Sequence, residues 1–403
     1  MHHSMHPKSL ITGVGLVSLA LLAASCTSGP NAASSDEIVI GVAQPLSGPV
    51  ASAGQSVANG AKIAAKAIND AGGIDGKKIK LVIEDDANDP ATCVNVAQRF
   101  ATKVKTNAVM GGWGSSCTLA MQPILERAKM PFLVETSSSD KITDKDAEGN
   151  DWAFRISPTS TMEATALKSV LKDLDIKKAF TLSVNNDFGL GAAQHYGDIL
   201  KGIDVDVVGA DKFDQAEQSF STYVTKAIAS KADTWIVTTD ASQLALLFKE
   251  AKGQGAKARI ITTGGSNSPI QVKALAGSEA VEGTYATMFY PSFDTQLAAD
   301  PQSAEEFNKA WEAKGYDEGE LIEGVRGYQG IKVLAAAFEK VDDPSDTEQV
   351  RIALSEVTVK GAVYGEISFG DWNNLINQSV PPVYLVQTVK GNLKLIGTGT
   401  PPY

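Results

Sequence analysis

A glycine- and serine-rich loop, GGWGSSC at residues 111–117, follows an apolar run and precedes a helix-like stretch. The start of a helix suits a carboxylate, because its backbone amides point outward and the helix dipole is positive there. Ser115 adds a hydroxyl donor, while Gly112 and Gly114 let the backbone approach a ligand closely. Trp113 offers a flat apolar wall. The loop therefore indicates a site for a small anion, with an ordinary capped helix start as the alternative.

Catalytic chemistry is not evident elsewhere in the sequence. His195 is the one histidine after the first 26 residues, and a Ser-His-Asp triad would have to use it. No G-x-S-x-G motif accompanies it, and the His and Cys clusters that hold zinc are missing. We expect no enzymatic activity, no metal and no cofactor. A hydrolase that uses Ser115 or Ser116 is the alternative.

Strand-like and helix-like segments alternate along the chain, which predicts parallel sheets with right-handed crossovers. The predicted strands are residues 37–42, 80–84, 108–111, 132–134, 178–184, 204–209, 234–239 and 259–263. These βαβ units are too many for one sheet, so we predict an α/β fold with two doubly wound lobes. Ligands in such folds bind beyond the carboxyl ends of the strands. The loop at 111–117 and a serine-rich turn at 135–140 both lie at such ends.

The first 26 residues are typical of a signal peptide, with a short positive start and an apolar run too short to span a bilayer. The run ends LAASC, which resembles the lipobox of bacterial lipoproteins and predicts lipidation of Cys26. An ordinary secretory signal is the alternative. Residues 27–37 are polar and rich in Gly, Pro and Ser, so we expect a flexible tether.

Charge and cysteine content exclude some partners. The formal net charge of −11 argues against nucleic acid, since such a surface repels phosphate.

With Cys26 lipidated, Cys93 and Cys117 remain as an even pair in an oxidising compartment. One disulfide between them is predicted, with two buried free thiols as the alternative.

Four stretches are similar to type I periplasmic binding proteins. They are IVIGVAQPLSGP at 38–49, GA leading to INDAGGIDG at 60–76, EDDANDP at 84–90 and NDFGLG at 186–191. Together they resemble the branched-chain amino-acid (Leu/Ile/Val) binding proteins of ABC importers, in lipoprotein form, over essentially the whole mature chain.

This resemblance implies two lobes joined by three crossings near residues 157, 287 and 365. The first lobe would comprise 38–157 and 287–365, and the second 158–286 and 366–403. A small ligand binds in the cleft, the lobes close by hinge motion, and the closed form docks on an ABC permease. We expect a monomer anchored outside the cytoplasm by lipid, at the cell surface or in a periplasm.

The resemblance also assigns ligand contacts. Ser115 corresponds to the serine that holds the α-carboxylate of the amino acid. Thr136 corresponds to the residue whose carbonyl accepts from the α-ammonium, and Ser138 to a threonine that donates its amide and hydroxyl. Trp113 falls at an apolar wall, and Phe188 replaces a cleft tyrosine. The disulfide of the family joins the segments that carry Cys93 and Cys117, a few residues from these positions.

Other positions depart from the family pattern. The acidic residue that binds the ammonium aligns with Gly265, two aromatic residues align with Asp240 and Ala53, and an apolar contact aligns with Glu323. Asp240 is expected to take over the ammonium. Alternatively, Asp240 and Glu323 serve a polar or basic ligand, or lie at a solvated rim.

The sequence thus defines the fold more narrowly than the ligand. Leucine, isoleucine or valine is the first expectation. The alternatives are another small solute, such as an amide, a urea-like compound or an aromatic carboxylate, or a sensory subunit of a signalling system.

Overall fold

β-Strands and α-helices alternate along the computed structural model, which describes residues 37–147, 151–265 and 267–402. These residues belong to one compact unit, Asp36–Tyr403, and the other unit, Met1–Ser35, lies outside the described part of the chain. The predicted signal peptide, Cys26 and nearly all of the predicted tether therefore lie outside it as well. Among the described residues, no helix combines the length and apolar character needed to cross a membrane.

The strands agree with most of the predicted positions. They are β1 Glu37–Gln44, β2 Lys78–Asp85, β3 Ala108–Gly111, β4 Phe132–Val134, β5 Ala153–Arg155, β6 Lys178–Val184, β7 Asp206–Phe213, β8 Thr234–Thr238, β9 Arg259–Thr262, β10 Tyr285–Met288, β11 Thr358–Ala362, β12 Gly365–Ser368, β13 Gly370–Trp372, β14 Leu375–Gln378, β15 Val383–Val389 and β16 Asn392–Gly399. The strand predicted at 204–209 corresponds to β7, which lies a few residues further toward the C-terminus.

Helices connect most of these strands. They are α1 Ala51–Asp70, α2 Pro90–Arg99, α3 Ser115–Arg127, α4 Ser160–Ala166, α5 Lys168–Asp173, α6 Asp187–Lys201, α7 Ser221–Ala229, α8 Ala241–Gly253, α9 Pro269–Ala276, α10 Ser278–Val281, α11 Pro301–Glu312, α12 Leu321–Phe338 and α13 Thr347–Ser355. Short 3₁₀ turns and a π-helical turn at Phe100–Val104 complete the connections.

Two seven-stranded sheets organise the chain. The first has the order β13-β14-β5-β4-β3-β1-β2, and the second has the order β16-β15-β10-β9-β8-β6-β7. Neighbouring strands are parallel from β14 to β2 and from β10 to β7, and antiparallel strands complete one edge of each sheet. We call the parts built on these sheets the first and the second lobe. The predicted two-lobed α/β fold is confirmed.

One predicted lobe boundary needs correction. The crossing predicted near residue 365 assigned residues 366–378 to the second lobe. Strands β13 and β14 instead join the first sheet, where Gln378 pairs with Arg155 of β5. The chain therefore crosses for the third time between Gln378 and Val383. Pairing at the edge of a sheet depends on a partner over 200 positions away, so local sequence patterns do not reveal it.

Helix α12 brings two charged residues to the interior of the first lobe. It contacts α1 on one side and β3 and β4 on another, and most of its residues are buried. Glu323 and Arg326 lie in this buried helix, 3% and 1% exposed. Buried charges require partners. Those of Glu323 and Arg326 lie in and next to the loops that follow β3 and β4, as described below.

Candidate ligand-binding cleft

Loops from both lobes line one cavity at the carboxyl ends of the strands. The first lobe contributes the loops after β2, β3 and β4, and the second contributes the loops after β6, β8 and β9. The lining residues are Asn88, Trp113, Gly114, Ser115, Thr136, Ser137, Ser138, Asn186, Phe188, Thr239, Asp240, Gly264 and Asn267. The space amounts to about 420 Å³ when its opening to solvent is counted, which limits the occupant to a small solute.

The start of α3 forms the wall on the side of the first lobe. The helix begins at Ser115, and Gly114 precedes it without a side-chain cap. Ser115 is buried, and its Oγ accepts a hydrogen bond of 3.2 Å from the amide of Ser139. That contact leaves the hydroxyl proton of Ser115 available to a ligand. Gly112 has a φ of +72°, and a Cβ there would lie 2.3 Å from Oγ1 of Thr118, so the turn requires glycine.

Arg155 supports the serine-rich turn after β4, residues 135–140, through hydrogen bonds. This buried guanidinium donates from Nη1 to the carbonyl of Ser139 at 2.6 Å and from Nε to Oε1 of Gln378 at 2.7 Å. Burial lowers the pKa of Arg155 to about 10, so it stays charged at neutral pH. Ser137 Oγ also contacts Oγ1 of Thr118 at 2.6 Å, which ties the turn to α3. Sequence reasoning missed Arg155, because nothing local distinguishes it from a surface arginine.

Phe188 and Asp240 form part of the opposite wall, on the second lobe. The ring of Phe188 lies over Gly264, where an added Cβ would meet its Cζ at 2.5 Å. Asp240 caps α8, and its Oδ1 accepts from the amides of Ser242 at 2.9 Å and Gln243 at 3.0 Å. Burial raises the pKa of Asp240, although the capping amides partly oppose this.

Glu323, which the sequence predicted to contact the ligand or to lie at the rim, instead lies behind the cavity wall formed by Trp113. It does not line the cavity; its Oε2 accepts from Nε1 of Trp113 at 3.0 Å and lies 3.5 Å from Nε of Arg326. Arg326 also donates from Nη2 to the carbonyl of Gly265 at 2.9 Å. Glu323 therefore positions the indole of Trp113, and Arg326 links this pair to the second lobe.

Polar contacts between the lobes surround the cleft. Asp187 of the second lobe accepts from Oγ of Ser116 at 2.7 Å and from Nζ of Lys141 at 2.9 Å. Burial alone would raise the pKa of Asp187, but Lys141 and Ser116 outweigh burial and lower it. His195 lies 3.5 Å from Oδ2 of Asp140, again across the lobes. These contacts describe a cleft whose two walls touch around the cavity.

The two cysteines predicted to pair lie behind the same loops. Cys93 belongs to α2 and Cys117 to the first turn of α3, both are buried, and their Cα atoms are 5.6 Å apart. This separation is within the range that disulfides bridge.

A larger hollow among the described residues lies at the opposite edge of the second sheet, near the start of β9 and β10. Its volume, again with the opening to solvent counted, is about 1360 Å³, and Lys252, Arg259, Glu279 and Glu282 are among its lining residues. Lys252 and Glu279 lie 3.8 Å apart, so the charges of this groove compensate one another. It is also far from the carboxyl ends of the strands, where ligands of such sheets bind.

The cleft gathers six of the seven predicted ligand-binding residues, namely Trp113, Ser115, Thr136, Ser138, Phe188 and Asp240. Sequence reasoning missed Asn88 and Asn267, which also line it. Both follow strands of the two sheets, so the rule that placed the loop at 111–117 would have identified them. Asn88 also has a φ of +52°, a conformation that asparagine tolerates better than most residues.

Comparisons with known proteins agree with this architecture. A sequence model of the periplasmic binding protein family matches residues 37–392. The chain is 29% identical over 320 residues to an amino acid binding protein of Pseudomonas aeruginosa, covering 79% of this chain and 82% of that protein.

Solved structures share the fold at lower sequence identity. One is the branched-chain amino acid transporter substrate binding protein LivJ from Streptococcus pneumoniae in complex with isoleucine, with a TM-score of 0.77, 22% identity, and 90% and 99% of the two chains covered. Another is an ABC transporter solute binding protein from R. palustris in complex with 4-hydroxybenzoate, with a TM-score of 0.78, 22% identity, and 91% and 98% covered. One fold thus accommodates an aliphatic amino acid and an aromatic acid.

Proposed function

The chain belongs to the periplasmic binding protein family, and from this premise we propose that it captures an amino acid in its cleft and delivers it to an ABC importer. Leucine, isoleucine and valine are the first ligands to test, because a protein of this fold binds isoleucine. The role is that of a receptor rather than an enzyme, as expected from relatives that are binding proteins.

The start of α3 carries this proposal. Ser115, the first residue of the helix, lines a cavity that Asp240 lines from the other lobe. A carboxylate bound at the helix start gains the amides, the hydroxyl of Ser115 and the positive end of the dipole. In this proposal Thr136 and Ser138 bind the polar atoms of the same ligand, and Trp113 and Phe188 pack against its apolar part.

Thermal unfolding of the ligand-free protein tests the proposal. The panel contains all amino acids, simple carboxylates, amides, urea and aromatic acids. A ligand at about 100 times its Kd stabilises the native state by roughly 2.7 kcal/mol, which shifts the midpoint measurably. Ser115→Ala is expected to weaken binding of the best ligand about tenfold or more, because a hydrogen bond to a charged group is lost.

Ser221→Ala is the matched control, because Ser221 begins α7 as Ser115 begins α3 but lies outside the cavity. It should leave the affinity unchanged. If Ser115→Ala binds as tightly as the wild type, the proposed carboxylate site is wrong. If only amides, urea or aromatic acids stabilise the protein, the receptor serves another solute of the alternatives above.

We also propose that the protein is lipid-anchored at Cys26, outside the cytoplasm, and acts as a monomer. The lipobox-like end of the signal supports the anchor. Mass spectrometry of the membrane-bound protein should find a lipidated cysteine at the mature N-terminus, and Cys26→Ala should release the protein from the membrane.

A disulfide between Cys93 and Cys117 is likewise proposed, since their Cα separation of 5.6 Å permits it. It would join α2 to the first turn of α3 and so restrain the helix start that holds the carboxylate. Thiol labelling of the native, non-reduced protein should find neither cysteine reactive after denaturation. Two free thiols would disprove the bond.

A further inference from the structure

The guanidinium of Arg326 extends from the first lobe to the second behind the ligand cavity. Arg326 lies in α12 and is 1% exposed. Its Nη2 donates to the carbonyl of Gly265 at 2.9 Å, in the loop that follows β9 of the second sheet. The preceding residue, Gly264, lines the cavity, whereas Arg326 does not. Arg326 therefore binds a segment of the second lobe that faces the ligand, without lining the cavity itself.

Residues of the first lobe orient this guanidinium. Nε of Arg326 lies 3.5 Å from Oε2 of Glu323, the oxygen that accepts from Nε1 of Trp113. Nη1 donates to the carbonyl of Glu135 in a long hydrogen bond of 3.5 Å. The three nitrogens thus face three acceptors in different directions, which a planar guanidinium can do and the single nitrogen of a lysine cannot. A chain of polar contacts therefore connects Trp113, on one cavity wall, to Gly265 of the other lobe.

Glu163 holds the same loop from the side of the second lobe. It lies in α4, is fully buried, and its Oε1 accepts from the amide of Gly264 at 2.9 Å and from the hydroxyl of Tyr196 at 2.8 Å. Burial raises the pKa of Glu163, while the amide of Gly264 and the charge of Arg326 act against burial. An anion of one lobe and a cation of the other therefore fix the two adjacent residues Gly264 and Gly265.

The Gly264–Gly265 loop in turn supports an aromatic wall of the cavity. A Cβ on Gly264 would meet the ring of Phe188 at 2.5 Å, and one on Gly265 would meet the ring of Phe289 at 2.4 Å. Both glycines have positive φ, +95° and +59°, which favours glycine there. The same ring of Phe289 lies 5.4 Å from Cζ of Arg326. Because the loop touches Phe188 directly, its position affects a residue that lines the cavity.

We propose that Arg326 is a positioning residue for ligand capture: in the closed cleft it binds the carbonyl of Gly265 and holds the Gly264–Gly265 loop, with Phe188, against the ligand. Opening of the cleft breaks this contact. The inference rests on the proposed function and adds a residue to it that does not touch the ligand. Dissociation requires opening, so the contact slows dissociation more than it changes association.

Arg326→Lys tests this contact, because lysine keeps a buried positive charge near Glu135 and Glu163 but loses the three-nitrogen geometry. Titration calorimetry and stopped-flow kinetics are carried out with isoleucine, leucine, valine and 4-hydroxybenzoate. For the probe that binds the wild type most tightly, we expect Kd to rise about tenfold or more, because a charge-assisted hydrogen bond of the closed state is lost. Most of the rise should come from faster dissociation. A loss of global stability alone would not produce this kinetic pattern in the folded variant.

Arg259→Lys is the matched control, since the contacts of Arg259 stay within the second lobe. Its Nη1 donates to Oγ1 of Thr234 at 3.3 Å, its Cζ lies 5.7 Å from the ring centre of Tyr285, and it does not line the ligand cavity. This substitution also replaces a guanidinium by an ammonium. It should change neither Kd nor the dissociation rate constant.

Glu323→Gln provides a second variant in case Arg326→Lys does not fold. Glutamine has nearly the same shape, and its amide oxygen can still accept from Trp113, but the charge that orients Arg326 is removed. Dissociation should again be faster than in the wild type, while association changes little. A folded Glu323→Gln protein with the kinetics of the wild type would count against the orientation of Arg326 by Glu323 and against the inference.

The outcomes separate this inference from the proposed function. If Arg326→Lys folds and keeps the wild-type Kd and dissociation rate constant, the contact does not stabilise the closed cleft. A rise in Kd that comes only from slower association would also overturn the inference, because Arg326 would then shape the open site. If only 4-hydroxybenzoate binds the wild type, the proposed ligand class is wrong, and the variants are compared with that probe. If none of the four probes binds, the proposed function and the inference both fail.

Discussion

At the scale of single residues, the most unusual group is the carboxyl of Glu135, which is fully buried in the first lobe. Its Oε1 accepts from Nε2 of Gln44 at 2.7 Å, and burial raises its pKa to about 7. Oε2 of Glu135 and Oε1 of Gln44 are buried without hydrogen-bond partners among the described atoms. A proton on Oε2 would provide the donor that Gln44 lacks, as in a paired carboxylic acid and amide.

Glu135→Gln should therefore change how stability depends on pH. The pKa of Glu135 rises from 4.5 when unfolded to about 7 when folded, so the native state binds the extra proton. Its contribution to the free energy of unfolding is full below pH 4.5 and is lost as the pH rises through about 7. Glutamine mimics the protonated acid at every pH. The free energy of unfolding of the variant should therefore increase relative to that of the wild type by up to ~3 kcal/mol between pH 4.5 and 8.

Urea unfolding of both proteins at pH 5 and pH 8 measures this difference. Glu348→Gln is the control, because Glu348 is exposed and its bond to Arg351 lowers its pKa instead. That substitution should leave the trend between pH 5 and pH 8 nearly unchanged. Parallel pH profiles for the wild type and Glu135→Gln would show that Glu135 is ionised in the native state throughout.

At the scale of elements, the packing of α1 against α12 positions the charged residues of α12 that lie behind the ligand cavity. A Cβ on Gly60 would lie 1.8 Å from the carbonyl oxygen of Gly324, and one on Gly327 would lie 1.9 Å from that of Val57. Both helices thus approach through their glycines, backbone to backbone. Glu323 and Arg326 are in the same helix as Gly327, so this contact also positions the charges behind Trp113.

Gly60→Ala should destabilise the protein although alanine favours helix. The methyl group cannot be accommodated without separating α1 from α12, which typically costs about 1–3 kcal/mol. Gly191→Ala, in α6, is the matched control because a Cβ there meets nothing within 4 Å. It should be neutral or stabilise by up to about 1 kcal/mol through its higher helix propensity. Equal free energies of unfolding for the two variants, measured in urea, would contradict the close approach.

At the scale of the whole molecule, the contacts between the lobes connect ligand binding to closure. Lys141, Ser116 and Asp140 of the first lobe meet Asp187 and His195 of the second at the edge of the cleft. Ligand binding that requires a closed cleft includes the free energy of these contacts. Any contact formed only on closure therefore changes affinity without touching the ligand.

Lys141→Ala should weaken ligand binding modestly by removing its ion pair with Asp187. The lysine side chain is 70% exposed, so the pair is worth about 0.2–1 kcal/mol, or up to roughly fivefold in Kd. The effect should diminish in high salt. Lys226→Ala is the control, since its pair with Asp211 at 2.7 Å lies within the second lobe. Calorimetry with the amino acid that binds most tightly should distinguish the two variants. Identical affinities of Lys141→Ala and the wild type would show that this pair does not contribute to closure.

Local sequence patterns determined most of the secondary structure and much of the candidate site. The apolar runs at β3, β4 and β6 predicted strands with the observed bounds, because a buried parallel strand requires consecutive apolar residues. The loop at 111–117 was identified because glycine and serine before a helix have a local conformational and hydrogen-bonding cause. Asp240 was identified differently, because it aligns with an aromatic position of the family pattern.

Only the tertiary structure decided which residues face the ligand and which support them from behind. Glu323 lies behind Trp113, Arg155 braces the turn after β4, and β13 and β14 join the first sheet. Each of these depends on a partner distant in sequence. Pairing over such separations is set by how sheets and helices pack together, and the pattern of neighbouring residues records only whether a position is buried, not what it meets there.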